Sequence, residues 1–367
     1  MQTLGLQKIP SCSTIRQRLN SLGAHKKEET TKQIMEESTK LLKKLEIPIT
    51  PCFGEYVPLD ADVCPFDNSN TKKEGVGWTY KKVMGYAPIF AYLGEEGYCV
   101  NAELRNGTQH CQKNTPAFLE TAIDNARLIT NAKILARLDS GNDAADNMAL
   151  FQRRQVDFVI KRNPRKESIK AHFRRAEKRG TLIPGTREGK RIFVYEYYTK
   201  PKKCSNRVRV VSFVTERTST ITGQMLLIPE YELESYYTSL GRKTATSSQV
   251  QTLYHNHGTS EQFHSELKTD LDLERLPSGK FATNAIVLTL GVFTYNLLRI
   301  IGQESLQLKD YPPTTHEVNR RRIRTVIDRY ISLGVKLVKH ARNTYVKLSS
   351  FNLWLPSFKR IYEAFAT

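Results

Sequence analysis

The sequence has six cysteines, Cys12, Cys52, Cys64, Cys99, Cys111 and Cys204, but no CxxC pair and no metal-finger spacing. That excludes a disulfide-stapled scaffold and a zinc module, and free thiols suit a reducing, intracellular setting. The opening residues, MQTLGLQKIPSCSTIRQRLN, lack the sustained apolar stretch of a signal peptide. There is no internal repeat and no low-complexity tract. The longest apolar run, residues 284–302, approaches membrane length but carries Asn284, Asn296 and Arg299, so it reads as a buried core helix rather than a span. Negative charge is also scarce: 37 Asp and Glu face 56 Lys and Arg, for a net charge of +19. Such an excess selects a polyanionic partner, nucleic acid above all. The charge is clustered, with 17 Lys or Arg against four Glu over residues 161–209.

A chain of 367 residues has room for two domains, or for one domain with a large insertion. Residues 11–46 read as helix, and TIRQRLNSL within them matches either half of a DNA-binding helix pair or a plain amphipathic helix. EYVPLDADVC, APIFAYLG and GYCVNAELRNG read as three strands, the last two joined in a hairpin at Gly94–Gly97. A helix from Thr115, a strand KILARLDSG, a helix DAADNMALFQRRQ and a strand VDFVIKRN follow. Strands with hairpins first and crossovers later predict an α/β layered core. Five segments result: a helical segment at 1–50, a first core part at 51–163, a basic β-rich insertion at 164–247, a last core part at 248–303, and a basic helical segment at 304–367.

Three acidic positions stand out. Asp60 and Asp62 lie two apart on the first strand, so both face one side. Asp139 closes the fourth strand, before Ser140–Gly141. Glu261 opens a late helix, with Thr259 and Gln262 in a T-x-x-Q capping pattern. Carboxylates from these elements can meet at one edge of a mixed sheet, where hard oxygen ligands suit Mg²⁺ or Mn²⁺ and phosphodiester chemistry. Taken singly, an Asp ending a strand is a turn residue and a Glu in a first helical turn is a dipole partner. Tyr254, His257, Glu261 and Lys268 fall within roughly 60° of one another on a helical wheel, a polar stripe where a buried helix carries apolar residues. Trp78 and Trp354 read as core or interface aromatics.

The order Tyr254, two residues, His257, three residues, Glu261, six residues, Lys268 resembles the Tyr-Arg-Glu-Lys signature of DDE transposases of bacterial insertion sequences. The resemblance is to the cut-and-paste group, with a ribonuclease H-like core and a β-rich insertion before the glutamate helix. Spacing agrees at four positions and identity at three; His257 stands where the family has Arg, which is permanently charged and bidentate. LDADV and ARLDSG are similar to the strands bearing the first two acids. The resemblance implies a ribonuclease H-like mixed sheet flanked by helices, with Asp62 (alternatively Asp60), Asp139 and Glu261 holding two Mg²⁺ ions. It implies that Tyr254, His257 and Lys268 contact DNA, and that a homodimer in a synaptic complex joins terminal inverted repeats to target DNA. It implies no membrane, no small-molecule cofactor, and a bacterial, cytoplasmic, nucleoid-associated protein with a shortened DNA-binding region at 1–50. Arg174, Arg175, Lys178 and Arg179 in the basic cluster are further expected DNA contacts. The other readings are an inactive end-binding relative and a ribonuclease H-like nuclease without strand transfer.

Overall fold

The computed structural model describes residues 10–307, 318–340 and 343–365; the expectations for 1–50 and 304–367 fall partly outside the described residues. Helix α1 (Cys12–Lys44) is capped by Ser11, whose hydroxyl accepts from Thr14 N, and it kinks at Lys26. TIRQRLNSL is thus part of one long helix. It packs along a late helix through Gly23, which lies against the backbone of Thr283, and through Asn20, which accepts from Thr283 Oγ1 at 2.9 Å.

The sheet is built on β1 (Tyr56–Val63). After it come three short strands, β2 (Phe66–Asp67), β3 (Gly77–Trp78) and β4 (Met84–Tyr86), which form a small sheet of their own. The next elements are β5 (Ile89–Leu93), β6 (Tyr98–Glu103), α2 (Thr115–Ile129), β7 (Lys133–Leu138), α3 (Ala145–Arg154) and β8 (Asp157–Lys161). Apart from the short strands, this is the order read from the sequence. β5 pairs antiparallel with β1, while β7 pairs parallel with β1 and with β8.

Alternation sets the two faces of β1. Val57, Leu59, Ala61 and Val63 are buried with α2 and α3 residues such as Phe118, Leu119, Ala122 and Phe151. Asp60 and Asp62 therefore point to the other face, as their spacing predicts.

The basic segment continues this sheet. α4 (Ile169–Arg179) and β9 (Thr181–Leu182) lead into β10 (Lys190–Thr199), β11 (Val208–Ser219) and β12 (Met225–Thr238). β12 bonds to β8, so the strands run β6-β5-β1-β7-β8-β12-β11-β10-β9 in one nine-stranded sheet. The insertion is β-rich, and its strands widen the core.

Helix α5 (Ser247–His255) starts at a capping box formed by Thr246 and Gln249. A 3₁₀ turn (Asn256–Gly258) leads into α6 (Thr259–Ser265), and a π-helical turn (Glu266–Asp270) follows it. The capping pattern expected at Thr259 and Gln262 does not form, because the chain enters α6 already helical; Thr259 instead donates to Asn256 O at 2.9 Å.

Helix α7 (Phe281–Gln307) is long and apolar enough to cross a membrane by length and composition, yet it is mostly buried between α1 and the sheet. Its polar residues have protein partners. Asn296 donates to Cys99 O and Ser38 Oγ, and Asn284 donates to Ser278 O.

The helical segment expected at 304–367 is corrected. After α8 (Ile323–Val326) and a π turn, strands β13 (Val335–His340) and β14 (Asn343–Leu348) pair as a hairpin before α9 (Leu355–Phe365). The β-branched, alternating VKLVKH and NTYVKL suit strands, and the helical run has already ended at Ile331.

Candidate active site

Two carboxylates on one face of β1 meet different neighbours. Asp60 is buried and takes a bidentate pair from Arg137, at 2.6 Å to each oxygen. Arg137 comes from β7, and it also donates to Leu253 O in α5 at 3.2 Å. His257 Nδ1 lies 3.0 Å from Asp60 Oδ1, in an approach too bent for a well-formed hydrogen bond. Burial opposes ionisation of Asp60, but Arg137 and His257 outweigh it and hold the carboxyl below its usual range. Burial likewise opposes charge on His257, and the Asp60 and Asp62 carboxylates overcome it and raise the imidazole above its usual value. His257 is 5% exposed, and its ring packs 5.9 Å from that of Tyr254. It sits in the layer behind the acids.

Among the described residues no Lys, Arg or His forms an ion pair with Asp62. Its Oδ1 accepts from Val63 N at 2.7 Å. Burial, then the charge of Asp139, push its carboxyl up to about 7. Asp139 follows β7, the parallel neighbour of β1, and caps a 3₁₀ turn by accepting from Asn142 N at 3.2 Å and Asn142 Nδ2 at 2.8 Å. Two carboxylates therefore repel at the ends of adjacent parallel strands.

Glu261 is exposed in the first turn of α6, on a cleft of about 490 Å³ with Gln262, Ser265, Arg320 and Arg322. Burial, then the charges of Asp139, Asp62, Glu234 and Glu261, raise the Tyr254 phenol, so one ring feels all three expected acids. Gly97 lets α6 approach the sheet: its φ is +76°, and a side chain there would run into Phe263.

A repelling pair of hard oxygen ligands fits a divalent cation, which would relieve that repulsion. Among the described residues no three His, Cys, Asp or Glu side chains are gathered closely enough to hold a metal ion, so Glu261 is not brought together with the pair.

The other expected residues are dispersed. Lys268 is half-buried, paired with Glu274 at 2.8 Å and donating to Pro65 O at 3.0 Å. Tyr254 packs at a tilt against Tyr236, ring centroids 5.1 Å apart, with Lys161 Nζ 5.4 Å from its ring centroid. Glu266, five residues after Glu261, is buried and bonded by Arg299, Arg320 and Ile323 N, which makes it a structural acid. Arg174, Arg175, Lys178 and Arg179 form the exposed face of α4, opposite buried His172, Phe173 and Ala176. Arg137 was missed by the sequence reading. Its signal was a charged residue inside the apolar run KILARL, which requires a buried partner.

Residues 8–367 match the family model described as transposase DDE domain group 1. No curated protein matches the chain. Among solved structures, the cryo-EM structure of a piggyBac transposase synaptic complex with hairpin DNA is similar at 10% identity with a TM-score of 0.34. The match covers 68% of this chain and 47% of that one, so the chain spans about half the length of that relative.

Proposed function

We propose that this chain, which belongs to the transposase DDE domain group 1 family, is a DNA transposase of a bacterial insertion sequence that cuts the element's ends and joins them to target DNA. The observation that carries this reading is the Asp62–Asp139 pair, with the Asp62 carboxyl pushed up to about 7 by burial and by its neighbour. Asp62 and Asp139 would hold Mg²⁺ or Mn²⁺, which when bound supplies water activation and stabilises the leaving oxygen, and Glu261 would join them only if α6 closed on the pair. Asp60 is already neutralised by Arg137 and His257, which favours Asp62 as the first acid. His257 supports the site from behind, where the family has Arg, with the Asp60 and Asp62 carboxylates favouring its charged form. Tyr254 lies within reach of the acids' charge, and the cationic face of α4 would carry the flanking duplex. A homodimer would pair two ends.

The test is nicking of a duplex carrying the inverted repeats that flank the reading frame, with Mg²⁺. Asp139→Asn keeps an oxygen for the Asn142 cap but removes the charge. It should abolish nicking and leave duplex binding within about twofold, since the cationic face is untouched. Full nicking by that variant would sink the assignment. Binding without nicking in the unaltered chain would favour an inactive end-binding protein, and nicking without joining a plain nuclease.

A further inference from the structure

A fixed turn stands beside the acid pair. Thr79 N donates to Val83 O at 2.9 Å, Lys82 N to Thr79 O at 2.9 Å, and Thr79 Oγ1 to Val83 O at 3.0 Å. On this turn Trp78 is 65% and Tyr80 61% exposed, and Lys81 and Lys82 are exposed or half-exposed as well. The Tyr80 hydroxyl donates to Val63 O at 3.1 Å, the carbonyl of the residue next to Asp62. Lys81 lies near enough for its charge to act on Asp62, and its Nζ sits 6.0 Å from the Tyr80 ring centroid. Among the described residues neither lysine forms an ion pair. A tryptophan held in water on a locked turn contributes nothing to the core that its size could fill.

Two exposed aromatic side chains, with the Trp78 ring the more exposed, and two ammonium groups without an ion pair among the described residues, next to paired carboxylates, suit a ligand with both a flat π-face and phosphates. A nucleotide is such a ligand. A base inside a duplex has both faces covered by its neighbours; an unpaired base at a strand end has a free one. Aromatic stacking on such bases is tolerant of sequence, and lysines that track the backbone accompany it.

We propose that residues 78–82 form a second DNA-contact site, at which Trp78 stacks on an unpaired base beside the strand held at Asp62 and Asp139 while Lys81 and Lys82 engage its phosphates. This rests on the reading of the chain as a DNA-cutting enzyme. It gives the turn the task of holding a strand end in place.

Trp78 and Trp354 are the two tryptophans, so a Trp354→Phe chain reports on Trp78 alone. The probes are a blunt duplex and the same duplex with a 3′ overhang of thymidines. The overhang should quench Trp78 fluorescence saturably and the blunt duplex should not. Trp78→Ala should weaken overhang binding about tenfold and leave blunt-duplex binding unchanged. Trp78→Phe should recover part of the loss. Absence of quenching, with equal overhang affinity in Trp78→Ala, overturns the proposal while continued duplex binding leaves the DNA reading intact. Failure of the unaltered chain to bind either probe would instead overturn that reading, and this proposal with it. Loss of self-association in Trp78→Ala, with overhang affinity retained, would assign the turn to a contact between two copies and overturn the proposal as well.

Discussion

At the scale of single residues, what faces Asp60 and Asp62 separates them. The sequence placed both acids on one face, because strand alternation does so for any pair two apart. Which one is free was not legible, since Arg137 on the neighbouring strand and His257 on a distant turn decide it. Asp62 has a folded pKa of about 7, well above that of an unfolded Asp. A raised acid costs stability above its unfolded pKa. The cost grows as pH climbs from about 4 to about 7 and is constant beyond. In metal-free protein, Asp62→Asn should therefore raise stability at pH 8, by up to about 4 kcal/mol less whatever solvent screens at its open side, and change little at pH 4. Mg²⁺ should stabilise the unaltered chain at pH 8 and not the variant. Urea midpoints at both pH values check this, and a destabilised Asp62→Asn at pH 8 would mean the carboxylate is already compensated. His257 runs the opposite way. Its folded pKa is raised, so its contribution is complete below about pH 6.5 and disappears as pH rises through the folded value. His257→Gln should cost about 1–3 kcal/mol at pH 6 and less at pH 9. His257→Arg should restore the loss and flatten the dependence; an equal cost at both pH values would reduce the imidazole to packing.

At the scale of elements, periodicity predicted helix through 247–303, and Gly258, which weakens a helix, marks the break before a helix starting near Thr259, where the 3₁₀ turn lies; the π turn after Ser265 had no such signal. The stripe drawn through Tyr254, His257, Glu261 and Lys268 would need one straight helix. A 3₁₀ turn and a π turn divide it, so Glu261 faces solvent, His257 faces Asp60 and Lys268 reaches Pro65. Such changes of pitch depend on tertiary partners, here Phe263 under Gly97 and Glu266 between Arg299 and Arg320. The hairpin at 335–348 lay inside a segment read as basic and helical throughout, so its strand alternation went unused. α4 was not expected, since residues 164–247 were read as β-rich; once the helix forms, its amphipathic spacing turns the four cations outward. On duplex DNA each neutralised phosphate adds about −0.9 to the slope of log affinity against log salt. Replacing Arg174, Arg175, Lys178 and Arg179 by Ala should make that slope shallower by about 0.9 for each phosphate no longer engaged, measured by anisotropy across a salt series. An unchanged slope would leave α4 as a solvated face.

At the scale of the whole molecule, the basic segment shares its sheet with the acids. β12 bonds to β8 through Tyr236, Tyr237 and Thr238, and α5 returns from that segment to supply the Leu253 carbonyl to Arg137. Leu135 and Val159 of the core strands are buried with Val211, Phe213 and Tyr236 of the added strands in one apolar cluster. A sequence boundary at 164, drawn from composition, marks where charge changes but not where cooperativity does. Removing the segment would leave β8 as a bare edge and strip the cover from Leu135 and Val159. Buried pairs tie the parts further: Arg209 of β11 holds Glu196 of β10 and the carbonyls of Leu240 and Ala245, and breaking such a pair costs about 3–5 kcal/mol. The two parts should then unfold as one unit. Hydrogen exchange followed by peptide mass spectrometry over a guanidinium series reads both at once. Amides of β11 and of β7 should lose protection at the same denaturant concentration and with the same slope, the mark of a shared global opening. Loss of β11 protection at clearly lower denaturant, with β7 still protected, would show that the segment opens by itself. The cationic face on α4 would then be carried on a hinged flap and not on the rigid edge of the catalytic sheet.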